Sequence, residues 1–573
     1  MKLVFRQYLA SLRERNELDV VLPDLLSELG YNVISRPGRG TRQHGVDVMA
    51  VGFEKGEEKV YLFSVKQGDL DRAEWDTGEQ GLRASLNEIL EIYIPSRLES
   101  QYQTHKVVIC LCFGGEIKEA VRDNVKGFTD RNSTERISFQ VWNGDFLAAL
   151  LSDGVLKQQL VKRELRTSFQ KAVAMLDEPE IANRYFKNLV EGLREENSGT
   201  ARGRLSSLRQ MCICLWVLYV WARDANNLEA PYKACENTIL QAWHLISQDL
   251  TGNSKLAKEA RTTLEELFKL YGVIWEDFYG EKLLPHIAHR DAVAASVDAR
   301  SSVDVNRKLF ETMGRIALRG LWIMWSANPR DDVPKVSRFR APKGALAIAN
   351  ALRALISNNP ALLTPIADDQ SIDVGITLLF LSIVQPWQPT AIGYSENILS
   401  AFIFTYQAHD RYPSIHGSYR ELVRHPAERT DDYRKDHTKG STLIPLAALW
   451  ASAGGASERT KVFAKFAEEK LKHCTHQMWV AGSDSESKVY LGESRHGLGL
   501  IDIPVTQDGH AAVGALEHEC RHDEHFRNLS AIKLLHWPIL VLACRHHRLP
   551  LPPHLWLPAL KEVRHEHHNK GGS

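Results

Sequence analysis

Hydrophobic periodicity changes character near residue 155, and that change limits the possible architectures more than any other feature of the chain. Before it, short apolar runs of strand type interleave with amphipathic helical patterns; after it, almost every segment repeats at helical spacing. In the first part, Leu18, Val21, Leu22, Leu25, Leu26 and Leu29 fall on one helix face that stops at Gly30, with Pro23 starting or bending the helix. Strand patterns follow at 31–35, 46–51 and 59–66, then a helix at 82–92, a buried strand at 106–113, a helix at 117–128 and a last strand at 137–142. The order αβββαβαβ predicts an α/β domain built on a central mixed sheet flanked by helices.

The later helical patterns lie at 155–176, 181–193, 205–222, 256–271, 309–325 and 344–356, with no fixed repeat that would suggest a regular solenoid. The expected organisation is an α/β domain over 1–152, a helical region over 153–406, a polar loop over 407–441 and a helical, histidine-rich region over 442–570. The whole C-terminal part is expected to be all-α. For 573 residues, 44% hydrophobic and 25% charged, wholesale disorder and collagen-like structure are excluded. Lys+Arg and Asp+Glu both number 71, which excludes a highly basic nucleic-acid coat. Eight cysteines in so long a chain do not make a disulfide scaffold. The apolar stretches 211–222 and 376–384 fall short of the roughly 20 residues of a membrane span. No export signal opens the chain. A cytoplasmic protein without membrane contact is expected.

The chemistry-bearing segment is Gly45-Val46-Asp47-Val48, followed by Phe63-Ser64-Val65-Lys66-Gln67. Alternation along a strand puts Ser64 and Lys66 on one face, and Asp47 projects from its own strand. If the two strands pair, a carboxylate, a hydroxyl and an ammonium converge. Such a group suits a divalent cation and a water poised against a phosphodiester. Taken alone the pattern is weak, because aspartate at a turn and a solvated lysine at a strand end are common.

These residues, and their setting between 18 and 151, resemble the PD-(D/E)XK nuclease superfamily, and within it the Mrr-like restriction endonucleases. The resemblance includes the helix ending in Leu29-Gly30-Tyr31, the Gly-rich loop before Asp47, the aromatic-flanked strand ending in Lys66-Gln67, and the closing segment from Trp142 to Leu147 followed by Leu150-Leu151. It implies a restriction-endonuclease-like fold and cleavage of DNA with Mg²⁺ or Mn²⁺. Asp47 would be a metal ligand with the Val65 carbonyl beside it, and Lys66 would assist the attacking water.

One position departs from the family pattern: Ser64 stands where a Glu or Gln ligand is expected, and a neutral hydroxyl is a poorer ligand for a hard cation. Glu28, from the first helix, or Asp69 or Asp71, just past the strand, are candidates to supply the missing carboxylate. Otherwise the site is catalytically degenerate, and the fold binds nucleic acid or a partner protein. Residues 1–151 carry 19 basic against 23 acidic side chains, so DNA contact would need a local patch. Arg36, Arg39, Arg42 and His44 in the loop before Asp47 are the candidates. Proteins that look like this, a nuclease fold on a long helical appendage, are typical of bacterial anti-phage defence. A separate ATPase or sensor subunit is a candidate partner, since no phosphate-binding loop is present. A homo-oligomer is also considered.

Two other sites are weighed. His518-Glu519-Cys520-Arg521-His522 has the spacing of a zinc helix but charged residues at unfavourable places. A structural metal site would draw on Cys520, His522, His525, Cys544, His546 and His547; surface and capping histidines are the better reading. In the polar stretch 407–441, Tyr412, Tyr419 and Tyr433 among mixed charges are candidates for stacking on bases, against the plainer reading of a solvated loop.

Overall fold

The computed structural model describes residues 9, 18–35, 44–54, 56–76, 78, 81–150, 163–196, 198–336, 341–493 and 496–571. It forms two compact units, Met1–Ile274 and Trp275–Ser573. The helices after residue 163 therefore begin in the same unit as the sheet, and the division expected at 152/153 falls inside that unit.

The first unit holds a five-stranded mixed sheet in the order β1-β2-β3-β4-β5, made of Asn32–Ser35, Val48–Glu54, Glu57–Lys66, Lys106–Phe113 and Ile137–Trp142. The pairs β1–β2 and β2–β3 are antiparallel, while β3–β4 and β4–β5 are parallel. The antiparallel register of β2 and β3 runs down to Glu54 opposite Glu57, as in a hairpin, but the parallel pairs need crossovers. Helices Arg72–Asp76 and Leu82–Glu88 lie in the first crossover and Glu119–Asn132 forms the second. The near-continuous apolar runs of β3 and β4 follow from their central places, covered on both faces.

On one face Val60, Leu62, Val107, Ile109, Leu111 and Phe113 form a single core with Trp75, Leu82, Leu86, Val121, Val125 and Phe128 from the crossover helices. The opposite face is aromatic: Tyr31 meets Tyr61 at 5.1 Å and Phe63 meets Trp142 at 4.9 Å, both edge to face. The first helix, Asp19–Glu28, buries Val21, Leu22, Leu25 and Leu26 as its spacing predicts, and accommodates Pro23.

Helices Arg163–Ala174, Pro179–Glu196, Ala201–Asp224, Glu229–Ile246 and Lys255–Trp275 follow. Helix Ala201–Asp224 is longer than its apolar stretch suggested. Among the described residues it alone has the length and hydropathy of a membrane span, and 89% of its most apolar window is buried inside the protein.

The second unit is largely helical. Its helix Ser371–Ile383 is buried at every position, and Trp450 and Trp556 pack with ring centroids 5.0 Å apart. It is not all-α: Gly440–Ser441 pairs in parallel with Thr475–His476, and Met478–Val480 pairs antiparallel with Leu498–Leu500. The polar stretch is not a loop throughout either. It contains helices Tyr419–Arg424 and Asp431–His437, anchored by the buried Tyr412, Leu422 and His425.

Candidate functional site

β2 begins at Val48, opposite Phe63, so the last three residues of β3 run past the end of their antiparallel neighbour. Asp47 occupies the gap. Its amide donates to the Phe63 carbonyl at 2.8 Å, and its Oδ2 accepts from the Val65 amide at 2.7 Å. The carboxylate thus satisfies a strand donor that β2 does not reach, and one step beyond the Val48–Phe63 pair it stands level with Ser64. The approach of the strands that the sequence required is present.

Ser64 and Lys66 share the face of Val60 and Leu62, and both side chains are withdrawn from solvent, with 1% and 9% exposure. A solvated strand-end lysine would not be buried, so that reading of Lys66 fails. Gln67 is exposed immediately beyond it. On β4, Cys112 is level with Val65. Burial pushes its thiol pKa up, and the charge of Asp47 adds to the shift, which places the carboxylate within electrostatic reach of that strand.

The other carboxylates are engaged locally. Glu28 is only 3% exposed; its Oε2 accepts from Ser206 Oγ at 2.7 Å and its Oε1 lies 3.7 Å from Arg209. Asp69 accepts from the Glu116 amide at 2.8 Å and pairs with Lys118 at 2.6 Å, fastening the segments after β3 and β4 together. Asp71 caps helix Arg72–Asp76 through the Ala73 and Glu74 amides at 2.8 and 3.0 Å.

His44, in the left-handed region at φ 49°, has Nδ1 3.9 Å from Glu88. Next to it Gly45 takes φ +79°, and a Cβ there would stand 2.1 Å from the Ser85 carbonyl oxygen. The loop carrying Asp47 is thereby pressed onto helix Leu82–Glu88. Arg36, Arg39 and Arg42 lie outside the described residues.

The sites weighed in the second unit look different in three dimensions. His518 and His522 lie on helix His510–His522 with rings 4.6 Å apart, but among the described residues no third ligand joins them, and Cys520, His522, His525, Cys544, His546 and His547 do not converge. Among the described residues, one group of three His, Cys, Asp or Glu side chains brings its ligand atoms within 4.8 Å of one another: His416, Asp436 and His437. Nothing in the sequence spacing of these residues marks them as partners. Of the tyrosines considered for base stacking, Tyr412 and Tyr433 have rings packed inside the protein, while Tyr419 stays exposed and is held by its hydroxyl. Tyr412 packs on His425 at 4.1 Å and Tyr433 on His437 at 3.8 Å, and the Tyr419 hydroxyl meets Ser301 and Asp304.

Comparisons with family models, with curated proteins and with solved structures found no match in any of the three.

Proposed function

We propose that the first unit is a divalent-metal-dependent DNA endonuclease acting through Asp47 and Lys66. The observation that carries this reading is the bond from the Val65 amide to Asp47 Oδ2, which fixes a carboxylate at the end of β3 beside Ser64 and Lys66. The donors suit Mg²⁺ or Mn²⁺: a hard cation of this kind takes one or two carboxylates, keeps several waters and leaves the rest to substrate phosphate. Asp47 would supply the carboxylate and the Val65 carbonyl a further oxygen. A cation held there would neutralise charge developing on the scissile phosphate.

The chain's own residues do the positioning. The Val65 amide holds the carboxylate in one orientation. Lys66 offers an ammonium in a water-poor setting, where a hydrogen bond to the attacking water or to a phosphate oxygen is strong. Ser64 adds a hydroxyl for a bound water, and Gln67 an exposed amide for the backbone of the substrate. Service in bacterial anti-phage defence, with a separate sensor or ATPase, extends this reading and rests on the resemblance alone.

A second reading is favoured by the engagement of Glu28, Asp69 and Asp71 elsewhere: a degenerate nuclease fold that binds nucleic acid or a partner protein without cutting. Supercoiled plasmid incubated with the full chain in Mg²⁺, in Mn²⁺ and in EDTA separates the two. Metal-dependent nicking supports the first. Retention of plasmid without nicking supports the second.

A further inference from the structure

The polar stretch 407–441 folds back so that residues at its two ends meet. The Ile415 amide donates to the His437 carbonyl at 3.0 Å, and Ser414 Oγ lies 2.7 Å from His437 Nδ1. The same Oγ accepts from the His416 amide at 3.0 Å. With Nδ1–H of His437 donating to Ser414, its Nε2 keeps a lone pair. This is how a partner outside the ligand set fixes the tautomer of a metal-binding histidine. The chain before Ser414 is itself held, since the Ser414 amide donates to Ile366 and its carbonyl accepts from Asp368.

Around that ring the remaining donors gather. His416 Nε2 stands 3.0 Å from Asp436 Oδ2, and the His416 and His437 rings are 4.7 Å apart. His437 is buried, His416 half-buried and Asp436 exposed, so the group opens at the surface. Lys439 pairs with Asp436 Oδ1 at 3.0 Å, leaving Oδ2 turned to the imidazole. Glu421 lies within electrostatic reach of both histidines, and the Tyr433 ring covers His437.

We propose that His416, Asp436 and His437 form a three-ligand site for a borderline divalent transition ion of the zinc class, with a further coordination position open to solvent. Two imidazole nitrogens and one carboxylate oxygen select such an ion over Mg²⁺ or Ca²⁺, which prefer all-oxygen shells. Three protein ligands with one position free is the pattern of sites that hold a water or an exogenous ligand. The site lies in the second unit and does not depend on the endonuclease reading of the first.

The test uses the full chain, stripped with chelator and dialysed, with zinc content measured after reloading and zinc affinity by competition with a chromophoric chelator. Co²⁺ serves as a spectroscopic reporter of nitrogen and oxygen ligation. His416→Gln and Asp436→Asn are the informative variants, because neither side chain is buried and the metal-free fold should keep its melting temperature. The expected result is one zinc per chain, with affinity at least roughly tenfold weaker in each variant. The variants should also lose the Co²⁺ bands, which Asp47→Ala retains. Less than stoichiometric zinc in the unaltered chain overturns the proposal. So does unchanged affinity in both variants, which would put the metal on other histidines such as His518 and His522.

Discussion

The carboxylate of Asp47 accepts a 2.7 Å hydrogen bond from the amide of Val65, across the end of the β2–β3 hairpin. One bond thus ties the residue before β2 to the strand segment that carries Ser64 and Lys66. In the proposed endonuclease, the same geometry that completes the sheet also aims the acid.

Glu28 is expected to matter for stability and not for cutting. Its buried carboxylate receives Ser206 and neighbours Arg209, so Glu28→Ala leaves buried polar groups short of a partner, at a cost of about 1–3 kcal/mol. A urea titration should show that loss, with cleavage per folded molecule within a few-fold of the unaltered chain. Loss of cleavage at unchanged stability would instead make Glu28 a metal ligand.

Restoring an acid at the departing position should make stability respond to metal. Ser64 is 1% exposed, so Ser64→Glu buries a charge and lowers the melting temperature in EDTA. Mg²⁺ should recover part of the loss, because the new carboxylate would stand beside Asp47. Melting curves indifferent to Mg²⁺ would show that no cation binds there.

Gly45→Ala should disturb the site from outside it. The residue takes φ +79°, and the added Cβ would meet the Ser85 carbonyl at 2.1 Å. Backbone strain of this kind costs on the order of 1–3 kcal/mol, and the clash adds to it. The expected readout is a lowered unfolding midpoint together with reduced cleavage, since Asp47 is two residues away. A variant with unaltered stability and activity would contradict the packing described.

Acid should weaken the second unit. Burial lowers the pKa values of the His536 and His476 imidazoles. Unfolded histidine titrates near about 6.5. In the window below that value, down to the lowered folded pKa values, the unfolded state therefore takes up protons that the folded state refuses. Their contribution to stability is complete above the unfolded value and is lost as pH falls through the window. Urea midpoints of the full chain, followed by tryptophan fluorescence, should drop between neutral and mildly acidic pH. A midpoint constant across that range would contradict the burial of these rings.

Much of the first unit was legible because its signals are local. The leucines of Asp19–Glu28 sit at helical spacing, and the apolar runs of β3 and β4 match their doubly covered places in the sheet. The approach of Asp47 to the end of β3 was also readable, since a hairpin brings together residues close in sequence. The partner of Glu28 was not, because Ser206 lies 178 positions away and only tertiary packing joins them. The strands of the second unit, two or three residues each, are too short for alternation to register. Likewise, the polar stretch hid two helices, since at six and seven residues neither spans enough turns for a hydrophobic period. His416 and His437 meet where the Ile415 amide bonds the His437 carbonyl and Ser414 reaches the His437 ring, contacts that no residue pattern announces.

The measurement that bears most directly on the central claim is plasmid cleavage by Lys66→Ala beside the unaltered chain, with Asp47→Ala as companion. Each should be assayed in Mg²⁺ and in Mn²⁺ after its fold is verified by melting. The expected result is metal-dependent nicking by the unaltered chain and a loss of at least about a hundredfold in both variants. Cleavage that persists in folded Lys66→Ala would contradict it and move the chemistry away from the end of β3.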